Sequence, residues 1–323
     1  MIDTLKAQIP KVNLSAIEAK ERLEAKGIII YSKQYNESRE LSYYRLQSEA
    51  LRNLNCYFGA KGFIINGSLP KYFLGENVST LTIGQTIEVL ERLENVLGLP
   101  LLKYGIVKRL DVAFTFSVQN IVANYLQAMQ GYKNAKYNHI GNSKGLETVR
   151  YDFGKTQSLN CYNKQLETKE IPVNYAGKNL LRIEMQLKSG IQYLPISELW
   201  EPATYDKYIN QYCNLFHKMK FKENAQTLQP MAGITAVENL HYLAFKEYCS
   251  NPELLNSTEF KNRNAKADFK SFINKGRQYA IQSDTGHSLS DELKGYITPE
   301  KLLAQIAPSA NNEALEADYS TNF

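Results

Sequence analysis

Hydrophobic residues recur along this chain with two periods, and the change from one to the other divides it. Over residues 5–9 apolar and polar side chains alternate up to Pro10, as in a short strand. Residues 14–25 then carry Ile17, Leu23 and intervening alanines at helical spacing behind Ser15, a natural N-cap. Ile28, Ile29 and Ile30 read as a strand after Gly27, and residues 55–65 as further strand with turns at Gly59 and Gly62. Residues 80–97 predict an amphipathic helix with Ile83, Ile87, Leu90, Leu93, Val96 and Leu97 along one face, stopped near Gly98 and Pro100. Alternation returns over 107–116, placing Arg109, Asp111 and Ala113 on one strand face and Leu110, Val112 and Phe114 on the other. A helix over 118–129 and a polar loop over 131–144 come next, then strands at 147–152, 159–162 and 180–187. From Tyr205 the 3.6-residue period takes over: helices at 205–216, 236–249 and 264–280, and a short one at 298–306 with Pro299 in its first turn. The expected fold is α+β: an antiparallel sheet with flanking helices over residues 1–200, a helical region over 201–280 that is a candidate DNA-binding part, and an acidic, mobile tail over 281–323.

Composition narrows the class. With 323 residues and 43% hydrophobic content the chain can bury a core. It contains no run of 18 apolar residues and no apolar segment near Met1 of the kind a secretory signal needs, so we expect a cytoplasmic protein without a membrane partner. Cys56, Cys161, Cys213 and Cys249 lie far apart, as reduced structural cysteines do. His139, His217, His241 and His287 are equally scattered, which excludes the histidine-pair metal motifs. A bound metal would therefore be held by carboxylates, favouring a hard ion, Mg²⁺ or Mn²⁺. The net charge of +5 hides an asymmetry: residues 281–323 carry seven acids against Lys294 and Lys301, leaving about +10 on residues 1–280. That excess, with 22 tyrosines, suits a polyanion whose phosphates meet lysine and arginine and whose bases stack on phenol rings. An ordinary solvated basic surface has the same composition.

Three strand segments place chemistry at intervals of two residues: Arg109 with Asp111, Tyr162 with Lys164, and Arg182 with Glu184. Nicking DNA through a tyrosine needs a phenol oxygen at the scissile phosphate, a divalent ion polarising it and cations offsetting its growing charge. Asp111 and Glu184 are the candidate ligands, Tyr162 the nucleophile, and Lys164, Arg109 and Arg182 the cations, with Lys164 on the strand face of Tyr162. The same residues also permit a plain structural reading, in which Arg109 pairs with Glu184 or Arg182 with Asp111 across neighbouring strands.

The segment Thr148 to Glu167, with a glycine-bearing turn leading into Tyr162-Asn163-Lys164, resembles the active-site segment of filamentous-phage gene II replication initiators and of staphylococcal-type rolling-circle plasmid initiators. Met1-Ile2-Asp3-Thr4-Leu5 is similar to the phage proteins' beginning, Lys108-Arg109-Leu110-Asp111-Val112-Ala113-Phe114 to their Arg-Ile-Asp strand, and Leu181-Arg182-Ile183-Glu184-Met185 to their Arg-Phe-Glu strand. Gly67-Ser68-Leu69-Pro70-Lys71-Tyr72 looks like a further motif of the group. These lie in the same order over residues 1 to about 190; beyond 200 only 295–306 retains any likeness. The resemblance implies Tyr162 as nucleophile, Asp111 and Glu184 as acidic metal positions, Glu147, where the phage proteins have a glutamate, as a further metal candidate, and Lys71 and Lys164 as phosphate contacts. It implies nicking of single-stranded or hairpin origin DNA in a phage or plasmid, a 5′-phosphotyrosyl link, and a 3′-hydroxyl for a host polymerase and helicase to use, with monomer and dimer both open. A non-catalytic origin-binding protein that only recruits the replication machinery is the rival reading.

Overall fold

The computed structural model describes residues 1–35, 41–59, 61–132, 135–142, 145–168, 171–188, 191, 194–221, 228–250, 263–282 and 289–307. Ten strands form one sheet: β1 (Ile2–Pro10), β2 (Ile29–Tyr35), β3 (Leu41–Gln47), β4 (Leu54–Gly59), β5 (Gly62–Ser68), β6 (Ile106–Val118), β7 (Lys136–Asn142), β8 (Gly145–Phe153), β9 (Gln157–Asn163) and β10 (Asn179–Leu187). Their order is β2-β3-β4-β5-β1-β6-β10-β9-β8-β7, with every pairing antiparallel. The helices are α1 (Ala16–Ala25), α2 (Leu69–Phe73), α3 (Ile83–Leu97), α4 (Leu101–Tyr104), α5 (Val122–Ala128), α6 (Lys164–Glu167), α7 (Pro202–His217), α8 (Ala236–Ser250), α9 (Arg263–Gly276), α10 (Leu289–Tyr296) and α11 (Pro299–Ile306). The α+β expectation with an antiparallel sheet holds.

Local signals set most of these ends. Thr82 and Gln85 close a capping box on α3, and Gly98 ends it in the left-handed conformation. Its buried stripe is Thr86, Val89, Leu90, Leu93 and Leu97, rotated slightly from the expected one. Gly154, at φ +67°, makes the turn from β8 into β9, the strand that carries Tyr162.

Several segments differ from the sequence reading, β7 and β3 among them. The expected loop over 131–144 contains β7, an edge strand paired to β8 from Lys136 to Asn142. Strand β3 has no counterpart among the expected elements. An edge strand needs only backbone pairing on one side, so β7 lacks the apolar alternation that identifies interior strands.

Because side chains alternate along each strand, the central sheet has an apolar and a polar face. Leu110, Val112, Phe114, Leu181, Ile183, Met185, Leu159 and Cys161 are all buried. Helix α7 contributes Tyr212, whose ring meets Phe114 edge-on at 5.3 Å and whose hydroxyl donates to the Ile183 carbonyl at 3.1 Å. Phe114→Ala is therefore expected to destabilise this unit by about 3–5 kcal/mol, the usual loss for a buried phenylalanine, measurable by chemical denaturation.

The chain divides into two compact units, the first Met1–Leu126, Gly131–Met219 and Tyr296–Phe323, the second Gln127–Gln130 and Lys220–Gly295. The first thus reaches past residue 200: α7 belongs to it, and α11 packs on α7 with Leu302 and Ile306 fully buried. An amphipathic helix needs a surface to cover, and the apolar sheet face supplies one that local periodicity cannot reveal. In the second unit α8 and α9 pack through Tyr242, Phe245 and Ile273. They approach so closely that a Cβ at Gly276 would lie 1.8 Å from the His241 carbonyl oxygen. Strands β11 (Leu228–Pro230) and β12 (Ala280–Gln282) pair beside them. Residues 308–323 of the expected tail lie outside the described residues.

Candidate active site

Strand register gathers the chemistry-bearing residues on the polar face. Thr148 of β8, Tyr162 of β9, Arg182 of β10 and Thr115 of β6 stand in one cross-strand row. Arg150, Asn160, Glu184 and Ala113 form the next row, and Asp152, Ser158, Gln186 and Asp111 the third. Directly opposed residues of antiparallel strands share a face, so Asp111, Tyr162, Arg182 and Glu184 look to the same side although 73 residues separate the outermost two.

The hydroxyl of Tyr162 donates to Glu184 Oε2 at 3.4 Å, while Gln186 Nε2 donates to Glu184 Oε1 at 2.7 Å. Ser158 Oγ donates to Gln186 Oε1 at 3.1 Å, fixing that amide's orientation. The Glu184 carboxylate is therefore held from both oxygens. Burial pushes the Tyr162 phenol above its ordinary range; the nearby Arg182 guanidinium works against that and Glu184 with it. These surroundings favour the protonated phenol.

Asp111 is buried and takes two hydrogen bonds from Arg109, one from Nε at 2.8 Å. Burial nevertheless raises its carboxyl to about 7, the Arg109 bonds opposing and the Glu184 charge adding to the rise. Arg109 thus pairs within its own strand, not with Glu184. Nor does Arg182 pair with Asp111. It is 2% exposed, bridges Asp3 at 2.9 Å, and donates to the Asn77 carbonyl at 2.7 Å and Thr115 Oγ1 at 3.0 Å. Arg182, expected to meet DNA phosphate, lies with its charge enclosed and paired with Asp3.

Lys164 also departs from its expected place. Asn163 caps the helical turn α6, so Lys164 leaves the strand instead of lying two residues along its face. Its side chain folds back, fully buried, with Nζ bonded to Glu167 and 5.8 Å from the Tyr162 ring centroid. Burial lowers the affinity of this amine for its proton, Arg182 adds to the effect, and Glu167 restores part of it. Lys71, on α2 behind the Ser68 cap, reaches the same corner, 3.7 Å from Glu167 Oε1. The side chain of Glu147, on β8, lies outside the described residues.

Sequence reasoning overlooked Asp3, Asn160, Gln186, Ser158 and Glu167. Asn160 and Gln186 carried a usable signal, since each stands two residues from a named site residue on an alternating strand. Asp3 stood in the N-terminal motif, but its pairing had no local signal, because its partner lies on a strand formed 179 residues later.

Among the described residues no group of three or more His, Cys, Asp or Glu side chains is arranged to hold a metal. The residues on this face with oxygen donors suited to a hard cation are Asp111 and Glu184; the Gln186 amide turns its Nε2 to Glu184 and its oxygen to Ser158. Among the described residues no helix is long and apolar enough to cross a membrane.

A search of curated proteins returned no match. The family model that describes the N-terminal part of a phage replication-associated protein, the gene II product, matches residues 1–193, which include all ten strands of the sheet and every residue of the Tyr162 face. The chain belongs to this family, the replication-associated proteins of the filamentous-phage gene II type.

Proposed function

We propose that this replication-associated protein initiates rolling-circle replication by nicking origin DNA through Tyr162. The observation that carries the reading is the Tyr162 hydroxyl hydrogen-bonded to Glu184 on a polar sheet face that also holds Asp111, within the family-matched region. The phenol oxygen attacks the scissile phosphorus as its proton passes to Glu184 Oε2. The bond from phosphorus to the 3′ oxygen breaks, leaving Tyr162 joined to the 5′ phosphate and a 3′ oxygen that takes up a proton. Lys164 and Lys71 offset charge on the phosphate. Arg182 serves the step by holding Asp3 and facing Tyr162, not by touching substrate. A Mg²⁺ or Mn²⁺ ion held by Asp111 and Glu184 would supply polarisation of the phosphate oxygens. The freed 3′-hydroxyl serves a host polymerase, with a host helicase parting the strands, and reversal of the phosphotyrosyl link reseals the displaced circle.

Incubating the protein with single-stranded origin DNA and Mn²⁺, then mapping any covalent adduct by mass spectrometry, tests the proposal. An adduct on Tyr162 supports it. Specific binding without an adduct turns the reading into that of a non-catalytic origin-binding protein.

Asp111 adds a pH dependence. Its carboxyl is raised from 3.8 to about 7 in the folded chain, so its contribution to stability is present below 3.8 and is lost as pH rises through about 7. A divalent ion requires the carboxylate and opposes that loss. The increase in melting temperature produced by Mn²⁺ is thus expected to be small near pH ~5 and to grow toward pH ~8. A shift that is flat with pH, or largest in acid, counts against Asp111 as a ligand.

A further inference from the structure

Glu167 has no role in the chemistry above, yet it lies between the two lysines that the reading assigns to the phosphate. It ends the turn α6, which begins two residues after Tyr162, directly after β9. Its Oε2 accepts from Lys164 Nζ, and its Oε1 lies 3.7 Å from Lys71 Nζ on α2. Two ammonium groups from segments 93 residues apart thus hold one carboxylate, and the inner of them is 5.8 Å from the Tyr162 ring centroid.

The three partners differ in freedom. The Lys164 side chain is 0% exposed, whereas Glu167 is 41% exposed and Lys71 40%. A buried ammonium is costly without a counter-ion, so some anion must accompany Lys164 whether or not DNA is bound. A carboxylate presents two oxygens sharing one negative charge, as do the non-bridging oxygens of a phosphodiester. Glu167 is the group that can swing into solvent and vacate the position.

We propose that Lys71 and Lys164 form a subsite for one backbone phosphate of single-stranded DNA beside the scissile bond, and that Glu167 is its built-in occupant, displaced when DNA binds. This rests on the Tyr162 reading for what lies next to the subsite. The carboxylate keeps Lys164 paired in the free protein and opposes any strand that does not set a phosphate between the two lysines. Release of Glu167 is thereby coupled to the register of DNA at the nucleophile.

Equilibrium binding of a fluorescein-labelled single-stranded oligonucleotide to the full chain, carrying Tyr162→Phe so that cleavage cannot intervene, tests the assignment. Glu167→Gln, which keeps an acceptor for Lys164 but removes the charge, is expected to tighten binding about fivefold. Glu91→Gln makes the same charge change on an exposed position of α3 and is expected to leave affinity within about twofold. In a Lys71→Ala background the gain from Glu167→Gln should shrink to under about twofold, since the competition it relieves has lost one partner. Unchanged or weaker binding by Glu167→Gln, or a gain undiminished in Lys71→Ala, overturns the proposal. Should Glu167→Gln lower the melting temperature, Lys71→Ala alone decides: Lys71 is a surface side chain, and its loss must weaken binding. The covalent adduct is scored separately in the native chain, so an adduct on another tyrosine would remove the nucleophile assignment without touching this binding cycle.

Discussion

Tyr162→Phe is expected to yield a folded protein that binds single-stranded DNA but no longer becomes joined to it, with nicking reduced by about three orders of magnitude or more. Deleting the nucleophile of a covalent mechanism removes the step itself, and such losses reach ~10⁶ in acyl-transfer enzymes. The fold should hardly notice. The substitution deletes one oxygen whose hydrogen-bond partner among the described residues, Glu184 Oε2, is 3.4 Å away and keeps other contacts, and the ring still fills its place beside Lys164. The informative comparison sets Tyr162→Phe against Tyr175→Phe and Tyr151→Phe in the same adduct assay. Tyr151 is fully buried and its phenol is driven up by burial. Tyr175 lies on the far side of α6 in the chain, on the turn Val173–Tyr175. Undiminished adduct from Tyr162→Phe would falsify the nucleophile assignment.

Arg182→Met has the second largest expected effect, and it falls on stability before activity. Removing the guanidinium leaves the Asp3 carboxylate, 6% exposed, without the cation 2.9 Å away. Breaking a buried pair from one side typically costs about 3–5 kcal/mol, because the surviving charge stays desolvated. Pairing the change with Asp3→Asn removes the stranded charge, so the double variant should unfold at higher denaturant than the sum of the single losses predicts. An Arg182 that contacted DNA would behave otherwise: stability would stay near wild type while affinity for single-stranded DNA fell. Two further groups bind this arginine, the Asn77 carbonyl and Thr115 Oγ1, so the loss also loosens the segment that follows α2 against the sheet. Its Nε has no hydrogen-bond partner among the described residues, and register sets it directly across from Tyr162. The charge thus serves two ends, anchoring Asp3 and supplying a positive neighbour to the phenol.

How far the site could be read beforehand differs from residue to residue. Tyr162 was singled out of 22 tyrosines by the family resemblance of its segment, in which a glycine turn precedes it and Lys164 follows it; its local chemistry alone did not distinguish it. Asp111 and Glu184 followed from alternation within their own strands, and the register of β6 and β10 places both on the Tyr162 face. Lys164 was misplaced because a two-residue step was read as continued strand, whereas the Asn163 side chain accepts from the Gln165 backbone N–H and starts a turn there. The ion pairs stayed open because charge sign alone allows several partners. Geometry chose Arg109 with Asp111 and Arg182 with Asp3.

The amino-acid sequence by itself determined the periods, and with them the strand faces, the amphipathic helices and the polar character of the face bearing Tyr162. These depend on spacing over a few residues, where backbone geometry leaves little choice. Tertiary structure decided which strands became neighbours. It set β1 between β5 and β6, and β10 between β6 and β9. That order brought Asp3 to Arg182 and Glu184 to the Tyr162 hydroxyl, and Lys71 met Glu167 in the corner beside them. Pairing between distant strands is settled by register and by burial of one whole face, quantities that no short window of sequence contains.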